Sequence, residues 1–269
     1  MVLPASADRR IRRVLAPNPG PFTLEGTNTW IVGTAPSIVI DPGPEDPRHL
    51  EAVHKEAGSV AAILLTHHHP DHAAGASSLS VMAGAPVMAA WPQDREIDLR
   101  DGEVVAAGSV RLVAVHTPGH APDHVVFHDP GSRVLFTGDT VLGRGTSVID
   151  PPEGDMVAYI RSLEAMAVLQ ARLIYPGHGP VVWDAGAKLR EYIEHRRLRE
   201  QQVVRALKDG SRSPEQLVSA IYPDYPPELH APAARSVLAH LLKLEAERLV
   251  VRSESAGEVR FARAHPGAS

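Results

Sequence analysis

The stretch from Thr66 to His72 sets His67, His69, Asp71 and His72 in the spacing His-x-His-x-Asp-His. Neutral imidazole nitrogen and carboxylate oxygen are the donors that borderline divalent cations such as zinc select, and a catalytic site must also keep one coordination position for water. On a loop, the alternating His67 and His69 can point to one side and chelate one ion, while Asp71 and His72 turn toward a second. Two divalent ions are therefore expected, zinc first and manganese as the alternative. His68, between two of these donors, is expected to point the other way.

Three further signatures each follow an apolar run. Thr117-Pro118-Gly119-His120 follows residues 110–115, Gly138-Asp139-Thr140 follows 134–136, and Pro176-Gly177-His178-Gly179 follows 173–175. The histidine cluster likewise follows residues 60–65. Apolar runs this short read as buried strands. Groups just past the ends of several strands can converge at one sheet edge, where glycine lets the backbone turn sharply. His120, Asp139 and His178 are thus expected beside the histidine cluster.

In this order the motifs resemble the metallo-β-lactamase superfamily. The resemblance implies that His67, His69 and His120 hold one metal, that Asp71, His72 and His178 hold the other, and that Asp139 bridges them. It implies an αβ/βα sandwich of two mixed sheets faced by helices, and hydrolysis by a metal-held hydroxide with Asp71 in the catalytic machinery. Zinc β-lactamases commonly use a cysteine ligand and this chain has no cysteine, so a β-lactam substrate is not implied. Further segments look like the branch known as β-lactamase-like protein 2: Asn18 to Pro21, Gly26 to Trp30, Gly143 to Thr146, Tyr175 to Pro180, His195-Arg196 and Arg199 to Gln202. That branch implies an endoribonuclease acting on single-stranded RNA. The alternative is a small-molecule thioester or lactone hydrolase of the glyoxalase II kind. A third reading is a nucleic-acid-binding regulator with a vestigial metal site.

Other residues are weighed beside these. Asn28 could face substrate, and Arg144, in a Gly-Arg-Gly turn past Asp139, suits a phosphate contact or is a plain surface arginine. Asp41, after the run Ile38-Val39-Ile40, either accepts the far N–H of a ligand histidine or is a plain turn aspartate. His124 could line the cleft.

The elements that must position these groups follow from punctuation. Residues 29–32 and 37–40 read as a hairpin, Asp46-Pro47 opens a helix that Gly58 closes, Gly75 to Ser80 starts another, and Asp155 caps one running to about Gln170. Beyond about Trp183 the pattern changes. Ala185 to Leu207 reads as one helix, Ser213-Pro214-Glu215-Gln216 as a capping box opening a second, and roughly 231–248 as a third. Alternating strands at 249–253 and 258–262 complete winged-helix order. The chain is accordingly divided into a catalytic domain, 1–195, and a small winged-helix domain, 196–269.

Composition bounds the function. At 269 residues the chain holds one large and one small core. No apolar run approaches the roughly 18 residues of a membrane helix, and the Arg-rich start lacks the apolar stretch of a secretory signal. A cytoplasmic enzyme is expected, with RNA or a small ester or thioester as partner and a homo-oligomer left open. From Arg196 onward 12 basic residues stand against 9 acidic ones in a chain of net charge −5. That tilt would help the module hold a polyanion, or the module walls the cleft or joins two chains.

Overall fold

Runs such as Ile38-Val39-Ile40 and Val134-Leu135-Phe136 show no polar alternation because their strands are covered on both faces. The computed structural model describes residues 10–91, 97–223, 226, 230–255 and 257–264. Its first sheet grows from a hairpin, β2 (Asn28–Val32) against β3 (Ser37–Ile40), with Trp30 opposite Ile40. β1 (Ile11–Leu15) pairs antiparallel on one side. On the other, β4 (Val60–Leu64), β5 (Val87–Ala89) and β6 (Ile97–Asp98) follow in parallel.

Parallel neighbours need crossovers. α1 (Pro47–Ala57) supplies the first: Asp46 accepts the His49 N–H at 2.8 Å, Pro47 opens the helix and Gly58 ends it. α2 (Pro70–Ala73) and α3 (Ala76–Ala83) supply the second. The other sheet holds β7 (Val104–Ala107), β8 (Val110–His116), β9 (Val125–Asp129) and β10 (Val134–Gly138), all antiparallel. α4 (Met156–Val168) then returns the chain to β11 (Leu173–Pro176), parallel to β10.

Between the sheets Trp30, Ile40 and Leu64 meet Phe127, Phe136 and Tyr175. The Trp30 and Tyr175 rings meet edge-on at 4.9 Å. The outer face of the first sheet buries Ile31, Val39 and Ile63 against Leu50 and Val53 of α1 and Leu79 of α3. The outer face of the second buries Leu135 and Ile174 against Tyr159 and Leu163 of α4 and Tyr192 of α5 (Ala185–Ala206). Such a side chain contributes about 1.5–3 kcal/mol when fully buried, against about 1 kcal/mol net for a ladder hydrogen bond, so the apolar faces fix the layering. The order is helix, sheet, sheet, helix, the expected αβ/βα sandwich.

The last turns of α5 leave that sandwich. Val203 packs with α6 (Pro214–Ile221), α7 (His230–Ala246) and the wing, β12 (Val250–Ser255) paired with β13 (Glu258–Arg263), around Leu217, Leu241 and Phe261. Ser213 and Gln216 form the expected capping box, with Pro214 at the first helical turn. The 195/196 division falls inside α5, which serves both cores. The sequence reading names no strand for β1, β6, β7 or β9, and the end of the histidine cluster closes into the single turn of α2 rather than staying a loop. Parts of the Pro223 to Pro227 bend, the turn residue Ala256 and residues 1–9 of the Arg-rich start lie outside the described residues. No helix among the described residues is long and apolar enough to cross a membrane.

Candidate metal centre

All seven candidate ligands stand just past strand ends at one edge of the sandwich: four after β4, His120 after β8, Asp139 after β10 and His178 after β11. Two glycines permit the approach. A Cβ at Gly177 would lie 2.6 Å from His72 Cε1 and 2.9 Å from Asp139 Oδ1. Gly119, at φ +138°, turns the chain into His120 where a Cβ would meet the Tyr159 backbone at 2.3 Å.

The donors fall into two groups. His67 Nε2 and His120 Nε2 lie 3.0 and 3.1 Å from His69 Nδ1. Across from them His72 Nε2 and His178 Nε2 face each other at 3.1 Å, and Asp71 Oδ2 is 3.1 Å from His178 Nε2. Asp139 stands between the groups. Its Oδ1 is 3.4 Å from His72 Nε2 and 3.3 Å from His178 Nε2, and its Oδ2 is 3.8 Å from His120 Nε2.

The far nitrogen of each ring fixes what the near one can be. His72 Nδ1 donates to Asp41 Oδ2 at 2.9 Å, His120 Nδ1 to Val148 O at 2.9 Å, and His178 Nδ1 to Gly26 O at 3.3 Å. Thr66 Oγ1 donates to Asp41 Oδ2 at 2.8 Å and therefore accepts from His67 Nδ1 at 3.0 Å. Neutral imidazole has one donor and one acceptor, so each Nε2 turned to the centre presents a lone pair. Lone pairs at about 3 Å repel unless a cation lies among them. Asp139 Oδ1 is also buried without a hydrogen-bond partner. Neutral imidazoles and carboxylates closing on two points fit a pair of divalent ions.

Electrostatics agrees. Burial disfavours the His72 and His178 cations, yet the carboxylates of Asp139, with Asp41 for His72 and Asp71 for His178, outweigh it: His72 is held well above the ordinary imidazole value and His178 at about 9. The carboxylates around the second group thus favour positive charge there, the charge a divalent ion would supply. Burial and the neighbouring imidazoles push His67 and His120 down, which keeps them neutral. Burial opposes ionisation of Asp139 and Asp71, but His72 and His178 hold Asp139 well below the carboxylate range and the His178 contact lowers Asp71.

Of the two substrate-facing candidates, Asn28 is turned into the protein and Arg144 stays at the surface. Asn28 is fully buried, and its amide donates to Pro176 O and Gly179 O, both at 2.9 Å, fastening the turn that carries His178. Arg144 is exposed and paired with Glu25 at 2.8 Å. Asp41 does anchor His72 and also takes the Thr66 N–H at 2.8 Å. His68 turns away, its backbone N–H and ring both held by Asp123. His124 lies under the centre, stacked on His67 at 4.9 Å and accepting the Asp139 N–H at 3.2 Å; burial takes its pKa down to about 3. It also lines a cleft of about 420 Å³ with Trp91, Pro118, Asp123, Pro152 and Glu153. Asp123 and Glu153, whose Oε1 is 3.5 Å from His69 Nε2, were missed from sequence. Neither sits in a spaced motif, so no local signal marks them.

Known proteins resemble this chain in sequence and in fold. The family model described as Metallo-beta-lactamase superfamily matches residues 22–92 and 80–178, and the one described as Beta-lactamase associated winged helix domain matches residues 213–258. The Atrochrysone carboxyl ACP thioesterase of Aspergillus chevalieri is 34% identical over 269 residues, covering 94% of this chain and 86% of its own. The Beta-lactamase-like protein 2 homolog of Caenorhabditis elegans is 34% identical over 250 residues, covering 87% of this chain and 83% of its own. A solved Beta-lactamase domain protein from Burkholderia ambifaria has the same fold at a TM-score of 0.84 and 23% identity, covering 98% of this chain and 95% of that one.

Proposed function

Because the chain belongs to the metallo-β-lactamase superfamily, we propose that it is a dinuclear hydrolase in which His67, His69 and His120 hold one divalent ion and Asp71, His72 and His178 the other. Zinc is the proposed metal, manganese the alternative. The observation that carries this reading is Asp139, which turns one carboxylate oxygen toward each group. Two ions bound there would lower the pKa of a water toward neutrality and offset the negative charge that grows on the attacked group. Asp71, one side of its carboxylate on His178 and about a third exposed, faces the open side of the centre. Its lowered pKa keeps it ionised, which suits a group that holds and orients the nucleophile rather than one that gives a proton to the leaving group at neutral pH.

The walls bear on substrate. Trp91, Pro118 and Pro152 give the cleft an apolar side, and Glu153 adds an exposed carboxylate to its wall, while the buried Asp123 carboxylate is taken up by His68. Arg144 is neutralised by Glu25, and Arg260 on the wing is taken up by Glu258, Ser211 O and Gln216. These features favour a neutral acyl substrate such as a thioester. Single-stranded RNA is the second reading, supported by the likeness to relatives named beta-lactamase-like protein 2 homologs and by the basic tilt of the segment from Arg196, where we place the domain division. The zinc- or manganese-loaded protein is to be offered an acyl thioester, a labelled single-stranded RNA and a chromogenic β-lactam side by side. Thioester turnover that disappears with a chelator is the expected result. RNA cleavage alone would select the second reading, and no metal-dependent hydrolysis of any of the three would remove both.

A further inference from the structure

After Asp139 the chain runs from Val141 to Asp155 with no helix or strand of its own. It nevertheless carries the atoms that hold the first group of ligands. Val148 O accepts from His120 Nδ1, Ser147 Oγ lies 3.2 Å from the same nitrogen, and Glu153 stands against His69. A segment without a ladder keeps its shape only if other elements grip it. Tyr192 of α5 accepts the Leu142 N–H and donates to Gly145 O, both at 2.9 Å. Buried Arg196 of α5, its guanidinium 5.0 Å over the Tyr159 ring, donates to Ser147 O at 2.5 Å. The far end is held from the winged-helix module: Arg235 of α7 pairs with Asp150 and donates to Pro151 O.

We propose that Arg235 is a positioning residue for the first metal position, clasping the 147–153 segment so that Val148 and Ser147 hold the His120 ring and Glu153 meets His69. The winged-helix module is then part of the metal centre whatever the substrate. This rests on the ligand assignment proposed above. The grip is local to one end of the segment. The opposite end, where Gly143 N donates to His178 O at 2.9 Å, is fastened by Tyr192 and does not depend on Arg235. The two metal positions should therefore respond differently, which a general loss of packing would not produce.

The test titrates zinc against a chromogenic chelator in two backgrounds, the unaltered chain and His178→Ala, where only the first group remains complete. Groups that orient a ligand imidazole are typically worth 10–100-fold in metal affinity. Arg235→Ala should weaken the first position about tenfold and leave the second unchanged. Arg235→Lys should recover part of the loss, since an ammonium can reach Asp150 but not span both acceptors. Asp150→Asn, which leaves the module intact, should reproduce part of the Arg235→Ala effect. With cobalt as the probe, the absorption of the first position should shift in Arg235→Ala at an unchanged melting temperature. A first-position affinity and cobalt spectrum equal to those of the parent in both Arg235→Ala and Asp150→Asn would overturn the proposal. An unaltered chain that loads fewer than two ions would instead overturn the ligand assignment beneath it.

Discussion

Asp41→Asn tests whether the centre is set by the protons on the far side of its histidines. Asp41 is buried, and its carboxylate takes three donors: Thr66 N–H on Oδ1, Thr66 Oγ1 and His72 Nδ1–H on Oδ2. Asparagine has the same shape and tolerates the left-handed backbone that Asp41 adopts, φ +52°, where alanine would add strain. One oxygen becomes an NH₂. If it replaces Oδ1 it confronts a backbone N–H that has no alternative, so it must replace Oδ2 and point at Thr66 Oγ1 and His72 Nδ1. The hydroxyl can rotate to accept. His72 can accept only by moving its proton to Nε2, the atom that faces His178 and Asp139. The second metal position would then meet an N–H in place of a lone pair. Tautomer-fixing partners are worth about 10–100-fold in metal affinity, or about 1.4–2.7 kcal/mol. Thr66 Oγ1 then no longer donates to residue 41, so nothing obliges it to accept from His67 Nδ1; zinc titration should show the main loss at the second position with a smaller one at the first, and nitrogen NMR of the His72 ring should show the proton on Nε2. Two wild-type affinities with the His72 proton still on Nδ1 would refute the reasoning.

Two further outcomes are expected. Asp71→Ala should fold normally, being partly exposed and outside every apolar cluster, yet lose about 10²-fold or more in turnover of whichever substrate the enzyme accepts; near-parental turnover would remove Asp71 from the mechanism. The second concerns acid stability at the α5–α7 joint. His240 is buried without a hydrogen-bond partner on either nitrogen; burial first, then Arg196, Lys243, His195 and Arg199, take its pKa down to about 3, with Glu200 Oε2 at 4.0 Å the nearest opposing charge. Above about pH 6.5 neither folded nor unfolded His240 binds a proton. Below it only the unfolded chain does, so stability falls with pH between about 6.5 and 3, by about 2 kcal/mol at pH 5 from this residue. Denaturant unfolding at pH 7 and pH 5 should show His240→Leu losing about 2 kcal/mol less than the parent. An equal pH dependence in both would contradict it.

The seven candidate ligands were legible because metal chemistry constrains residue type and spacing within a few positions, and because each follows a largely apolar run. β10 and β11 are buried on both faces, where no polar residue interrupts the signal, while β8 alternates and exposes Arg111. The edge strand β1 breaks that signal, whereas β7 (Val-Val-Ala-Ala) and β9 (Val-Val-Phe, then His-Asp) carry short apolar runs that lead to no candidate ligand. β1 reads Ile-Arg-Arg-Val-Leu, with Arg12 reaching Glu56 and Gly33 O from the sheet edge, and β9 ends in His128-Asp129, whose carboxylate caps the following turn. Asn28 was misplaced for a related reason. Its neighbours Gly26 and Thr27 form a motif that looks made for a ligand, but the partner of that motif is the protein's own turn at Pro176 to Gly179, 148 or more residues away.

Sequence separation also parts the candidate ligands from the groups that tell them where to hold their protons. Asp41 serves His72 across 31 residues, Val148 serves His120 across 28, and Gly26 serves His178 across 152. Asp41 was open to two readings, a partner for a ligand histidine or a plain turn aspartate, and the structure shows it on His72 Nδ1. Val148 and Gly26 act through carbonyls that every residue possesses, so side-chain identity says nothing about them. What selects those carbonyls is the path of the backbone, and along 147–153 that path is set by Arg196 and Arg235 from beyond the sandwich. Metal affinity in this fold is thus expected to depend on residues that share no motif with the ligands, and to be lost first where the backbone carrying the acceptor has no ladder to hold it.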